Sequence, residues 1–192
     1  MQNAIKFWHV EHMRFKRLLD ALERQLAVFH TGAQPNYQLM QDIIHYLHHY
    51  PDRFHHPRED VAFARLIKRD PTMVQQVNWL TQEHRVIAAA GAELLRLLDE
   101  ILEDSIVSRE RIEAAVATYL IYYRRHLRTE ETQILPGAAH LLTQDDWAAV
   151  IAVAPLGEDA LFGGDLVFDN RYCALREEIA REMSGTATAL SD

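Results

Sequence analysis

One arrangement of histidine and glutamate occurs twice in this chain, and it restricts what the chain can fold into. His12 precedes a His55-x-x-x-Glu59 pair, and His84 precedes a His126-x-x-x-Glu130 pair. The lone histidine stands 43 positions before its pair in the first half and 42 in the second, and equivalent histidines of the two halves are 72 and 71 positions apart. On an α-helix, residues i and i+4 share one face about a turn apart, so each pair aims an imidazole and a carboxylate the same way. Two antiparallel helical hairpins built on this repeat bring four imidazoles and two carboxylates to one core.

The rest of the chain agrees with helices. Ile5, Trp8, His12, Phe15, Leu18, Leu19, Leu22 and Leu26 recur at three and four residues, which predicts an amphipathic helix over roughly 3–30. HTGAQPN ends it, and Pro35 is placed to open a second helix that reads through Tyr50 to about Arg69, with Pro51 and Pro57 expected to kink it. Asp70-Pro71 has the form of an N-cap and first-turn proline for a third helix ending near Asp104. Ser105 or Ser108 caps a fourth, which Pro136-Gly137 is expected to stop. The predicted fold is all-α: an up-down-up-down four-helix bundle over residues 1–137, with a C-terminal helical extension over 138–192 packed on it and frayed at its end. In that extension Thr143-Gln-Asp-Asp146 resembles a capping box before a short helix, the loop APLGEDALFGGD follows, and a last helix is expected over about 169–183.

Composition decides which donors are available. Cys173 is the only cysteine, so an intrachain disulfide and a thiolate metal cluster are both excluded, and any metal must be held by histidine and carboxylate. The formal charge of -8 and the lack of a basic run argue against nucleic acid or an anionic membrane as partner. No apolar run reaches the roughly 18 residues of a membrane span, and MQNAIKFWHVEHMRF lacks the basic-then-apolar order of a signal peptide, so a cytoplasmic location is expected. Nucleophilic triads, phosphate-cradling glycine loops and dinucleotide motifs are missing, which leaves no support for a conventional enzyme.

Four imidazoles with two harder carboxylate donors suit iron or manganese, and six ligands suit two metals with open positions. A closed zinc site needs only four ligands, and the chain has neither His-Glu-x-x-His nor the Glu-x-x-His of ferritin-type di-iron bundles. A single histidine on an apolar helix face is more often a satisfied core residue than a ligand; the matched duplication tips the balance. His9, His30, His45, His49, His56 and His140 read as surface or pocket-wall residues, whereas His48, seven residues before His55, can line an entrance. Glu11, Asp60 and Glu83 are turned about 100° from the neighbouring ligands, into water or the layer behind them. Trp8 and Tyr122, each four residues before a candidate ligand, point inward as walls of the site or as plain core.

The segments YPDRFHHPREDVAF, LTQEHR and HLRTEETQILP, spread over about residues 3–137, resemble the hemerythrin-like (HHE cation-binding) domains. The resemblance implies a four-helix bundle around a non-haem di-iron centre that binds dioxygen or nitric oxide or acts in redox sensing. It implies His12, His55, Glu59, His84, His126 and Glu130 as ligands of two Fe ions, with Mn or Zn as substitutes and with Glu59 and Glu130 bridging. The external ligand is then a small gaseous or oxo species: O2, NO or peroxide. Two departures from the oxygen carriers matter. They carry a second histidine on helix three where this chain has Leu80, and they place the second bridge five residues after the helix-four histidine, where this chain has Glu131. Glu130 is the chosen bridge and Glu131 its competitor. Fewer imidazoles leave more open coordination, which favours reactivity or sensing over reversible carriage. The alternative is a non-catalytic module that buffers metal or is stabilised by it, with the extension recruiting a protein partner; neither that partner nor the oligomeric state is specified.

Overall fold

The computed structural model of the chain describes residues 2–154, 159, 161–162 and 172–188, with side chains described over 5–181 of these. Every element among them is helical. α1 spans Gln2–His30, α2 Tyr37–Tyr50, α3 His56–Arg69, α4 Val74–Leu102, α5 Arg109–Thr129, α6 Leu135–Leu141, α7 Gln144–Val153 and α8 Cys173–Thr188. No described helix is long and apolar enough to cross a membrane.

Four of these helices close a ring, with α1 against α2 and α5, and α4 against the same two. Contacts run in opposite senses along α1 and α5 and along α4 and α5. Along α1, Lys16 meets Glu131 while Asp20 meets Arg124; along α4, Glu83 meets His126 while Glu93 meets Arg111. The first loop is formed by Gly32, whose positive φ of 80° suits glycine, and by Asn36, whose side chain accepts from the Leu39 N–H. Asn36 thus caps α2, rather than Pro35 opening it. Asp70 caps the next turn by accepting from Thr72, and Ser108, of the two serines, stands at the start of α5.

The prolines do something the spacing did not anticipate. Pro51–His55 is one turn of π-helix between α2 and α3, closed by the His56 N–H on the Pro51 carbonyl, and α3 runs on through Pro57. Likewise Glu130–Ile134 is a π turn closed by the Leu135 N–H on the Glu130 carbonyl, and α6 runs through Pro136 and Gly137 to Leu141. The expected stop at Pro136-Gly137 is therefore corrected. Each π turn ends two residues before a proline. A proline ring crowds the carbonyl four residues back and offers it no N–H, and a widened turn relieves that conflict without ending the helix.

Two apolar clusters result. The larger is built from Phe15, Leu18, Leu22, Ile43, Leu94 and Val116 with their neighbours; the smaller gathers Trp8, Phe63, Leu66, Leu80, Ile134 and Trp147. Along α1 and α4 the histidine of the repeat falls between residues of the two clusters, and Glu59 and Glu130 stand where the chain passes from the larger to the smaller, so a polar layer crosses the middle of an apolar core. The capping box is present: Thr143 and Asp146 bond reciprocally, and Arg65 and Arg69 of α3 bind the same aspartate. α7 packs on α3 and α8 on α2, while Asp159 accepts from Tyr46 and Arg14. The last helix begins at Cys173 and extends past the expected end to Thr188. Most of APLGEDALFGGD, the 169–171 start of that helix and the last four residues lie outside the described residues.

Candidate metal centre

The candidate residues come from six elements. α1 supplies His12, the first π turn His55, α3 Glu59, α4 His84, and α5 with the second π turn His126 and Glu130. All are buried except His84, which is half-buried. The Nε2 atoms of His12 and His55 are 3.2 Å apart, and those of His84 and His126 3.0 Å apart. Glu59 lies between these pairs, with Oε1 2.7 Å from His55 Nε2 and Oε2 3.4 Å from His84 Nε2. Glu130 does the same in the opposite sense: Oε2 is 3.4 Å from His12 Nε2 and Oε1 3.0 Å from His126 Nε2. Each carboxylate thus gives one oxygen to each pair of imidazoles.

Behind the imidazoles stands a layer of further carboxylates. His12 Nδ1 is 3.2 Å from Glu131, His55 Nδ1 3.0 Å from Glu11 and His126 Nδ1 3.3 Å from Glu83. A carboxylate on Nδ1 holds the proton there and leaves Nε2 with a free lone pair, the tautomer a metal needs. Glu11 is only 1% exposed and also accepts from Tyr50 and Arg58, so its expected alternative position in water is corrected in favour of the layer behind the ligands. Glu131 is tied to Lys16 as well as His12 and points away from the Nε2 atoms. Trp8 lies inward as expected, its indole N–H donating to Glu59 Oε1 at 2.8 Å. Tyr122 does not: it is 37% exposed, and the buried tyrosines of α5 are Tyr119 and Tyr123. Asp60 is in solvent, as are His9, His30, His49 and His140, and His48 is half-buried beside Asp52.

These groups fit a pair of cations. Glu59 Oε2 and both oxygens of Glu130 are buried and have no hydrogen-bond partner, although imidazole nitrogens surround them. Orphaned carboxylate oxygens and facing Nε2 lone pairs are each costly, and a cation between them removes both costs. His12, His55, Glu59 and Glu130 form one group able to hold an ion, and His56, Glu59, His84 and His126 form another. The sequence reads His56 as a surface or pocket-wall residue; the doubled His55-His56 is the available signal for its place here.

Without metal, protons take the cation's place. Burial by itself lowers His55, but Glu59 and Glu11 overcome it and push it up to about 10. His84 is likewise pushed up to about 10 by Glu130 and Glu59 against its burial, and His126 to about 9, chiefly by Glu130. Burial and Glu59 raise Glu130, yet His126 and His84 bring it down to about 2. In an unfolded chain a histidine titrates near about 6.5. The stability contributed by these raised histidines is therefore complete below that pH and is lost as pH rises through 9 to 10. Thermal melts of chelated protein between pH 6 and 10 are expected to show a falling midpoint. A midpoint that rose over this range would contradict protonated imidazoles in the metal-free core.

Comparison with known families bears on the same residues. The model of the hemerythrin HHE cation-binding domain matches residues 3–138. The chain belongs to the hemerythrin HHE cation-binding family. Comparison with curated proteins and with solved structures gives no match. The family match ends within α6, so α7 and α8 are additions to the HHE region. Within that region Leu80, one turn before His84 on α4, is fully buried in the smaller apolar cluster and offers the centre no donor.

Proposed function

We propose that the chain is a non-haem di-iron protein that binds or senses a small gaseous or oxo ligand (O2, NO or peroxide) in a redox or oxidative-stress response. The observation that supports this best is the division of each central carboxylate between two imidazole pairs, as a bridge between two ions requires. On this reading His12 and His55 serve one ion, His84 and His126 the other, and Glu59 and Glu130 bridge. Iron supplies a redox-active centre that accepts a diatomic ligand; Mn or Zn can occupy the same donors. The helices α1 to α5 form an up-down-up-down bundle around it, with α7 and α8 as an extension packed outside.

The protein's own contribution is to hold and shelter this centre. Glu11, Glu83 and Glu131 fix the imidazole tautomers, and Trp8 anchors Glu59. Phe15 packs edge-on against His55 at 5.1 Å, so water is excluded on that side. Such a site selects small ligands by access.

Metal analysis of protein purified after expression with iron is expected to give about two ions per chain, mostly iron, because six donors exceed what one ion with an open position uses. Anaerobic reduction followed by titration with O2 or NO should then change the near-ultraviolet absorption of the iron. One ion per chain, or zinc alone with iron supplied, counts against the di-iron reading. An iron spectrum indifferent to both gases favours a buffering or metal-stabilised module instead.

A further inference from the structure

We infer that His56 is a fifth imidazole of the centre, placed on the His84 and His126 side, where it makes up for the donor that Leu80 does not provide. This rests on the two-metal reading above and says where its open position lies. One nitrogen of His56 sits within 4.8 Å of the ligand atoms of Glu59, His84 and His126. Its ring stacks on that of His84, with centroids 4.1 Å apart and planes 25° from parallel. An ion lies in the plane of each imidazole that binds it, so the stacked pair shows proximity, and the His56 ring turns about its side-chain bonds to aim Nε2 at the ion that His84 holds.

His56 also has the backing seen at three of the other four imidazoles. Its Nδ1 is 2.9 Å from Asp52 Oδ1, one turn earlier, as Nδ1 of His12, His55 and His126 meets Glu131, Glu11 and Glu83. A carboxylate there leaves Nε2 as the free lone pair. The ring is half-buried, beside a small cleft lined by His48, Asp52, His84 and Tyr119.

Successive helix residues point about 100° apart, which ordinarily sends a neighbour away from a shared site. Here the two histidines straddle Glu59. His55 meets its Oε1 beside His12, whereas His56 lies with His84, which faces Oε2. Each therefore serves a different ion across one carboxylate. The His84/His126 ion then has three imidazoles and the His12/His55 ion two, so the second is the one with room for an external ligand.

Titration of Co(II) into metal-free protein tests this, followed by ligand-field absorption and by competition with a chelator. Wild type is expected to take two ions. His56→Phe retains a ring to stack on His84 but has no nitrogen, and His56→Ala removes both. Each variant should weaken one ion at least tenfold, roughly, and leave the other as in wild type. In the zinc-loaded wild type, the nitrogen spectrum should show His56 Nε2 as metal-bound and Nδ1 as N–H, a readout independent of how the variants fold. Tight binding of both ions by His56→Phe, or an unbound His56 Nε2 in the zinc form, overturns the inference and leaves the two-metal reading standing. Fewer than two ions in the wild type overturns both.

Discussion

Removal of the metal by a strong chelator is expected to lower the melting temperature by roughly 6–20 °C. The reason is the position of the polar layer. His12, His55, Glu59, His126 and Glu130 lie between two apolar clusters, and the unpartnered oxygens of Glu59 and Glu130 are shut away from water. Taking one partner from a buried ion pair costs about 3–5 kcal/mol, and about 1 kcal/mol shifts the midpoint of a chain this size by roughly 2–4 °C. Protons on the imidazoles offset part of that loss at low pH, so the gap between metal-loaded and metal-free protein should widen as pH rises. Limited proteolysis of the metal-free form should begin around Pro51–His55, where the π turn already lacks regular backbone bonding and the metal would hold His55. Equal melting temperatures with and without chelator would mean that the layer is stabilised by something other than a cation.

The amphipathic stripes and the doubled His and His-x-x-x-Glu spacing were legible in the sequence because both follow from the 3.6-residue period of one helix. Phe15, Leu18, Leu19 and Leu22 lie inward, as their spacing requires, and so do His12, His55, Glu59, His126 and Glu130. Relations between helices were not legible. Glu11 is next to His12 in sequence yet bonds His55 on another helix, and Glu83, next to His84, bonds His126. Adjacent residues diverge by 100° on their own helix, so a neighbour of one ligand faces the next helix. The same sensitivity explains Tyr122, since positions three and four before His126 both suit an inward face and the helix buries Tyr123. The π turns were hidden for a different reason. Pro57 and Pro136 register in sequence as local penalties, and the widened turns that relieve them depend on packing that outweighs those penalties.

Substitution of the two adjacent glutamates of the second π turn should have sharply different consequences. Glu130→Gln is expected to lose most of one metal ion, because Glu130 is the residue whose oxygens face His12 on one side and His126 on the other. Glutamine keeps the shape but removes the charge that two cations share. Glu59→Gln, which occupies the equivalent place in the first half, should match it in metal content and in the fall of the melting temperature. Glu131→Gln is predicted to keep both ions while weakening them by about 10–100-fold, the usual penalty for a group that orients a ligand without touching the metal. Its contacts are His12 Nδ1 and the Lys16 ammonium, and an amide can still accept from both. Quantitative metal analysis of the three variants, purified in parallel and titrated against one chelator, separates these outcomes. The opposite ranking, with Glu131→Gln stripped of an ion and Glu130→Gln fully loaded, would require the second π turn to rotate Glu131 inward on metal binding. The carboxylate five residues after His126, as in the oxygen carriers, would then be the bridge, and the preference for reactivity over carriage would lose that support.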